Sequence, residues 1–414
     1  MGVLRDYGWG YVAACAGLAL VLVVGSAVLP DTGGDVAGGD VAGGGVAGGA
    51  GAPAARIPPG QVVAGLQVAG GAYPQALRAA MAAERAAPGD LALAQAAARA
   101  LISEGRARGD SRLVGAAVGV LRPYLSLPAP GSETLYLAAT ARQYQHDFPG
   151  ALALLDQALA GRGEDINALL SRATILTVRG DYPAARKDCR QISRLRADIG
   201  FLCQATTEIL TAEGAGYAAR LQAILAQPGV LDDGLRGWAT GLVAEIALHR
   251  GDTKGAVAGF AAVIAADPLA LRERLLLADL QLLAGQPRAA VDLLAPAPET
   301  DGVLIRRVLG ARALGDAVLA ARLAAVLDQR FRLNLDLGLV AHAREEALYF
   351  LKIAGDPVQA LARAQVNWAL QHEIEDAVLL LGAAKAAGQP EAGQPVRDWM
   401  AQNAVLLPVA AVND

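Results

Sequence analysis

A helix-terminating glycine recurs along most of the chain and constrains the fold more than any other feature of the sequence. Nine such glycines, and one histidine in a glycine's place, lie 30 to 40 residues apart. They are Gly71, Gly109, His146, Gly180, Gly214, Gly251, Gly285, Gly315, Gly355 and Gly388. A glycine just past a helix adopts the left-handed conformation without a Cβ clash, so each one predicts a helix end. A recurrence in this range predicts a stacked array of helical hairpins.

The residues after each stop predict where the second helix of each hairpin begins. An aspartate follows six of the stops, where its carboxylate can accept hydrogen bonds from the first N–H groups of the next helix. These are Asp110, Asp147, Asp181, Asp252, Asp316 and Asp356. A small residue, usually alanine, lies five positions past most stops. It falls one turn into the second helix and predicts that the two helices approach closely.

The motif Gly-Asp-Tyr-Pro-Ala-Ala at residues 180–185 resembles the central turn of the tetratricopeptide repeat family, whose unit is a helix-turn-helix of roughly 34 residues. The segments 71–76 and 147–151 are similar to it, and the resemblance extends over about residues 57–400. It implies an all-α solenoid of stacked helix-turn-helix repeats. The repeats around Gly315 and Gly388 depart from the family pattern and are expected to be irregular.

The first 59 residues differ in composition from the repeat region that follows them. Residues 11–29 form a run of nineteen residues without a charge, which at 1.5 Å per residue nearly spans a ~30 Å hydrocarbon core. We expect residues 1–10 to be a cytoplasmic N-terminus, 11–29 a transmembrane anchor, 30–59 a flexible Gly-rich linker, 60–403 the repeat domain and 404–414 a C-terminal tail. Small residues at Gly25-Ser26-Ala27 leave open that the apolar run is instead a signal peptide cleaved near Ala27.

Two cysteines offer a test of compartment. Cys189 lies in a second helix and Cys203 in the following first helix, so antiparallel packing about a turn near Arg196 would bring the sulfurs to a similar height. A disulfide there would require an oxidising compartment. The alternative, that both are buried free thiols, stays open.

Composition argues against several classes of function. The net charge of −4 offers no basic stripe for nucleic acid. The four histidines are widely separated, and metal-ligand spacings, phosphate-binding loops and nucleophile motifs are missing from the sequence. We therefore expect neither an enzyme nor a cofactor, metal or small-molecule substrate.

In the tetratricopeptide repeat family the first helices line the concave groove. The resemblance implies that residues 13, 10, 6 and 3 positions before each stop lie on that inner face. The polar and aromatic residues obtained in this way are Tyr136, Gln143, Asn167, Glu208, Trp238, Glu245, Arg272, Asp279, His342, Glu345, Tyr349 and Lys352. We interpret them as the binding groove for a peptide or protein partner.

These features favour a non-enzymatic scaffold, tethered to the inner membrane by one span, whose periplasmic repeat domain binds a protein or peptide partner during assembly or maturation at the cell envelope. The alternative is a cleaved, soluble periplasmic subunit of a larger envelope complex. N-terminal sequencing of the fractionated protein separates the two.

Overall fold

The computed structural model describes residues 73–161 and 164–406, and these residues fold into nineteen α-helices without a strand among them. The prediction of an all-α fold is confirmed. The helices are α1 Gln75–Ala86, α2 Leu91–Arg108, α3 Ser111–Leu125, α4 Ser132–Tyr144, α5 Phe148–Gly161, α6 Ile166–Val178, α7 Tyr182–Leu195, α8 Ala197–Thr207, α9 Gly214–Leu225, α10 Asp233–His249, α11 Thr253–Ala266, α12 Leu271–Leu283, α13 Pro287–Leu294, α14 Asp301–Ala313, α15 Ala317–Asp336, α16 Ala343–Tyr349, α17 Pro357–Leu370, α18 Ile374–Ala386 and α19 Gln394–Asn403. A π-helical turn, Phe350–Ala354, extends α16, and a 3-10 turn, Pro390–Gly393, precedes α19.

The predicted stops end the first helix of most hairpins. Eight of them, seven glycines and His146 in a glycine's place, adopt left-handed backbone with φ between 60° and 81°. The stop predicted at Gly71 lies outside the described residues. The stop predicted at Gly214 is wrong, because α8 already ends at Thr207 and Gly214 begins α9. A Cβ at Gly214 would lie 2.7 Å from the carbonyl oxygen of Glu208, so close backbone approach explains the glycine there.

All six predicted aspartate caps form. Each carboxylate accepts a hydrogen bond from a backbone N–H two or three residues ahead, at 2.9 to 3.1 Å. Each such bond satisfies one of the N–H groups that has no partner within the helix. The caps therefore set where α3, α5, α7, α11, α15 and α17 begin.

Consecutive helices pack as antiparallel hairpins, with α2, α4, α6 and the later even-numbered helices as the first members. The small residues five positions past the stop are completely buried at Ala151, Ala185, Ala256 and Ala360. At each of these positions only a methyl group separates the two helices of a hairpin. The buried apolar residues then continue from one hairpin to the next, as a solenoid core must.

The array curves until its C-terminal hairpins meet its middle hairpins. The backbone N–H of His372 donates to the carbonyl oxygen of Val178 at 2.6 Å, and Nδ1 of His372 lies 2.9 Å from the carbonyl oxygen of Arg179. Further along, the N–H of Leu406 donates to the carbonyl oxygen of Leu210 at 2.8 Å. These contacts join residues that are close to 200 positions apart, for example 193 for His372 and Arg179. We call this contact between successive turns of the superhelix the closure.

Aromatic packing supports the closure. The indole of Trp399 in α19 lies 6.4 Å from the ring of Tyr182 in α7 and 5.5 Å from that of Trp368 in α17, measured between ring centroids. Tyr182 thereby joins the hydrophobic cluster of the C-terminal helices. The closure is thus a packed apolar contact as well as a set of backbone hydrogen bonds.

The predicted anchor, its cleavage site and the Gly-rich linker lie outside the described residues. Among the residues that are described, none of the helices combines the length and the apolar character needed to cross a bilayer.

Candidate binding cavity

The first helices of the hairpins surround a large concave cavity of about 3420 Å³. Its walls run from Arg99 in α2 to Arg397 in α19. Because the closure brings the C-terminal helices back against the middle ones, the curved inner face becomes a large cavity that is open to solvent on part of its surface. Sites for single small molecules usually measure about 300–1,000 Å³. The cavity is therefore several times larger than a typical small-molecule site.

Nine of the twelve predicted groove residues line the cavity. They are Tyr136, Gln143, Asn167, Trp238, Glu245, Arg272, His342, Glu345 and Lys352. They come from α4, α6, α10 and α12, from α16 and the residues that flank it. Positions counted back from each stop thus share one face of the superhelix, as the 3.6-residue period requires.

Glu208, Asp279 and Tyr349 do not line the cavity. Glu208 is buried against α7, where Arg186 donates from Nε to Oε1 at 2.6 Å and from Nη2 to Oε2 at 3.1 Å. Glu208 was predicted by counting six positions back from Gly214. Because α8 already ends at Thr207, that count does not identify the inner face of α8.

Asp279 and Tyr349 are displaced for different reasons. The Arg306 side chain covers Asp279, donating to its two carboxylate oxygens at 2.8 and 2.6 Å, and Arg306 itself faces the cavity. Tyr349 directly precedes the π-helical turn, and its side chain packs among aromatic rings instead of facing the cavity. Its ring packs 5.3 Å from that of Phe331 and 5.5 Å from that of Phe350.

The sequence reasoning missed a further set of residues in the last hairpin. Counting 13, 10, 6 and 3 positions back from Gly388 gives Glu375, Val378, Gly382 and Lys385, and all four line the cavity. The same count would have found them, had it been extended to the final stop.

A guanidinium group organises the polar wall near α18. Arg344 donates from Nε and Nη2 to the two carboxylate oxygens of Asp376 at 2.7 and 2.8 Å, and from Nη1 to Glu375 at 3.1 Å. It also contacts the carboxylate of Glu373, which begins α18 in a reciprocal cap with Asp376. These residues lie 29 to 32 positions from Arg344, so sequence spacing alone could not associate them.

Burial changes the acidity of several of these groups. Desolvation raises the pKa of Glu245 to about 7, against the opposing effect of Arg272, and it also raises the pKa of Glu375 to about 7, against that of Arg344. Desolvation lowers the pKa of His146 to about 4, and Arg344 adds to this effect. His342 shows the opposite behaviour, because its hydrogen bond to Asp301 raises its pKa.

Cys189 and Cys203 are joined as a disulfide between α7 and α8, with their Cα atoms 5.3 Å apart. Both residues are buried, and Cys203 lies next to the cavity wall. The antiparallel arrangement about Arg196 brings the two sulfurs together. The described residues hold no group of three or more His, Cys, Asp or Glu side chains that could bind a metal ion.

Comparison with known proteins gives only distant similarity. No protein-family model and no curated protein matches the chain. Among solved structures, a tetratricopeptide repeat protein from Parabacteroides merdae ATCC 43184 aligns with 64% of this chain and 99% of its own, at 16% identity and a TM-score of 0.37. The APC/C hetero-tetramer Cut9-Hcn1 aligns with 78% of this chain and 68% of its own, at 13% identity and a TM-score of 0.38.

With TM-scores of 0.37 and 0.38, neither similarity identifies a function for this chain. The architecture is defined instead by the chain's own hairpins, their left-handed stops and the concave face of their first helices. On that basis the described part of the chain is an all-α array of stacked helical hairpins.

Proposed function

We propose that this protein is a non-enzymatic scaffold that binds an extended segment of a protein partner inside the cavity. The observation that carries the proposal is the cavity itself. The first helices of the hairpins form it, and polar and aromatic side chains line it at positions that recur from one hairpin to the next. Exposed residues at its rim, among them Arg112, Asp233 and Glu299, leave an entry from solvent.

Two glycines on the cavity wall allow the proposal to be tested without disturbing the core. A Cβ at Gly237 in α10 or at Gly382 in α18 would have no heavy atom within 4 Å apart from its chain neighbours and the backbone of its own helix, so a larger side chain would point into open space. Glycine inside a helix is destabilising by roughly 0.5–1 kcal/mol relative to alanine, so replacement there should not weaken the fold. Gly119 in α3 is an exposed helical glycine with equally open surroundings and lies away from the cavity.

The experiment compares Gly237→Phe and Gly382→Phe with the matched control Gly119→Phe. Partners are recovered from membranes with the wild-type protein, and their binding to each variant is measured by biolayer interferometry. We expect both cavity variants to lose at least about tenfold in affinity, roughly 1.4 kcal/mol, while the control retains it. Unchanged binding by both cavity variants would place the partner site elsewhere.

We further propose that the repeat domain works in the periplasm, held at the inner membrane by residues 11–29. The uncharged run and the Gly-rich sequence after it support an anchor with a tether, and the disulfide fits an oxidising compartment. Cell fractionation followed by N-terminal sequencing tests this. A mature chain that begins near Val28 in the soluble periplasmic fraction would favour the cleaved structural subunit instead.

A further inference from the structure

The closure joins the two edges of the superhelix at a repeated register. One edge carries the turns inside the hairpins, and the other carries the residues that begin each first helix. The turn at Arg179, between α6 and α7, contacts His372 at the start of α18. In the same way, a Cβ at Gly109 between α2 and α3 would collide with Cγ2 of Thr300, the N-cap of α14. Each hairpin turn therefore meets the start of the first helix that lies six hairpins further on.

The closure covers only part of the edge that carries the helix starts. Asp301 at the start of α14 is 9% exposed, and Glu373 before α18 is 6% exposed. The corresponding residues of earlier hairpins are open to solvent. Asp233 at the start of α10 is exposed, and Leu91, the first residue of α2, is 39% exposed. A start is thus buried where another turn of the superhelix lies against it and exposed where none does.

The edge that carries the hairpin turns shows the same division. A Cβ at Gly180 would meet Trp399 and His372, and the second residue after this stop, Tyr182, is buried in that contact. A Cβ at any of the later stops would meet no heavy atom within 4 Å apart from its chain neighbours. These later stops are Gly251, Gly285, Gly315, Gly355 and Gly388. The turns of the C-terminal hairpins therefore end the superhelix as an open step.

We name the two uncovered edges by their residues. The turn ledge comprises residues 250–254, 284–288, 314–318, 354–358 and 387–391, at the turns from the α10–α11 hairpin onward. The start ledge comprises residues 87–91, 126–131, 226–233 and 267–270, which lead into α2, α4, α10 and α12. Most residues of both ledges are exposed within the part of the chain that the structure describes. The two ledges have the same form as the two edges that meet in the closure.

Both ledges present exposed aliphatic side chains. On the turn ledge these are Leu314, Val318 and Val358, and Val318 is 84% exposed. On the start ledge they are Leu91, Leu127, Val230 and Leu269, and Leu269 is 68% exposed. In the closure, apolar residues at such positions pack against the neighbouring turn, as Tyr182 does against Trp399. Contact between the two ledges would remove apolar surface from water in the same way.

The charges of the ledges are complementary where the turn ledge begins. Its first two turns carry the exposed cations Arg250, Lys254 and Arg288. The start ledge carries the exposed carboxylates Asp90, Asp232, Asp233 and Asp267, and its residues include no lysine or arginine. Patches of opposite charge favour this pairing, whereas two start ledges would repel each other.

We propose that the turn ledge of one molecule docks on the start ledge of a second copy of this chain. The docking repeats between molecules the contact that the closure makes within one molecule, so the superhelix continues from copy to copy. Such a contact uses two different surfaces and leaves one of each unoccupied at the ends, which produces head-to-tail chains and not a closed dimer. The cavities of successive copies lie end to end along the axis of the superhelix.

Cross-linking tests the geometry of this contact. Full-length chains carry Cys15→Ser, one new cysteine and one of two affinity tags, and a short bis-maleimide leaves the native disulfide unreacted. Val318→Cys lies on the turn ledge, and Leu127→Cys, Val230→Cys and Leu269→Cys lie on the start ledge. We expect a product that contains both tags when Val318→Cys is mixed with at least one start-ledge variant. Two copies of the same variant should give none.

Complementation tests whether the two surfaces differ. The turn-ledge variant combines Val318→Asp with Val358→Asp, and the start-ledge variant combines Val230→Asp with Leu269→Asp. Val318 and Val358 are the second residues of α15 and α17, where an aspartate does not disfavour the helix. Sedimentation velocity of the full chain in mild detergent should show self-association weakened by about tenfold or more in each variant. The control Val326→Asp, an exposed position in the middle of α15, should associate like the wild type.

An equimolar mixture of the two ledge variants should form dimers and no longer chains, because each variant contributes its one intact ledge. Products between two copies of one variant, in the yield of the mixed product, would indicate a two-fold symmetric dimer and overturn the head-to-tail contact. A wild-type chain that stays monomeric at all concentrations and gives no mixed product would also overturn it. Ledge variants that associate like the wild type would contradict the assignment of both surfaces.

Discussion

Replacement of Gly180 by alanine would test whether the closure stabilises the superhelix. Gly180 adopts a left-handed φ of 76°, and it lies under the C-terminal helices. A methyl group there would be 2.6 Å from Nε1 of Trp399 and 3.0 Å from Nδ1 of His372. Gly355 adopts a similar φ of 71°, but a Cβ there would meet no such atom within 4 Å. The two variants therefore share the backbone strain and differ in the contact.

The magnitudes follow from these two contributions. A left-handed conformation costs an L-residue roughly 1–2 kcal/mol, so Gly355→Ala should lower the free energy of unfolding by about that amount. Gly180→Ala adds an overpacked contact against a tryptophan ring held between two aromatic neighbours, and such contacts typically cost about 1–3 kcal/mol. We expect Gly180→Ala to be destabilising by about 2–5 kcal/mol in total.

Urea unfolding, followed by circular dichroism and tryptophan fluorescence, gives the two free energies. Hydrogen exchange then locates the effect, because the contacts in a repeat array are local and the structure can open in parts. In Gly180→Ala we expect faster exchange in α19 and around His372, and in Gly355→Ala we expect no change there. Equal destabilisation by both substitutions, with unchanged exchange in α19, would refute the closure as a stabilising contact.

Three further changes test buried features of the fold. Reduction of the Cys189–Cys203 disulfide, which closes a loop of 14 positions, should lower the free energy of unfolding by about 3 kcal/mol, and urea midpoints with and without dithiothreitol would measure it. Glu346 is fully buried and its Oε2 lies 2.5 Å from Nε of Arg363, so Glu346→Gln should lower the free energy of unfolding by about 3–5 kcal/mol. The double variant Glu346→Leu with Arg363→Met should recover most of that loss. A double variant as unstable as the single one would contradict the prediction. Burial lowers the pKa of His249 in the folded protein to about 3, from an ordinary value of 6.5. Between these two pH values the unfolded chain therefore binds more protons than the folded protein does. The free energy of unfolding should fall as the pH drops below 6.5, by at most about 1.4 kcal/mol per pH unit. Urea midpoints over this range should show a shallower decline for His249→Gln, and an identical decline would count against the assignment.

The elements that could be predicted from the sequence are those encoded within a few neighbouring residues. The aspartate caps and the left-handed stops depend only on the chemistry of one residue and its neighbours, so Asp181 and Gly180 were enough to locate the turn before α7. The groove positions followed from the same phase, and they failed where the local geometry changed. Gly214 serves a close backbone approach rather than a helix stop, and this misplaced Glu208. The π-helical turn after Tyr349 could not be anticipated from spacing.

The candidate site depends on contacts that local spacing does not encode. Arg344 meets Glu373 and Asp376 because α16 and α18 are neighbouring inner helices, and Arg306 covers Asp279 for a similar reason across α12 and α14.

For the residues that the structure describes, the sequence by itself determined the all-α class, most of the turns inside the hairpins and most of the positions that each first helix turns inward. These depend on periodicity, capping and glycine over one or two turns of chain. The tertiary structure alone decided how far the array curves, and with it the large cavity, the contact of His372 with Arg179 and the ion pairs of Arg344 with the start of α18. Small rotations between successive hairpins add up over close to 200 residues, and that sum is fixed by the packing of every interface together.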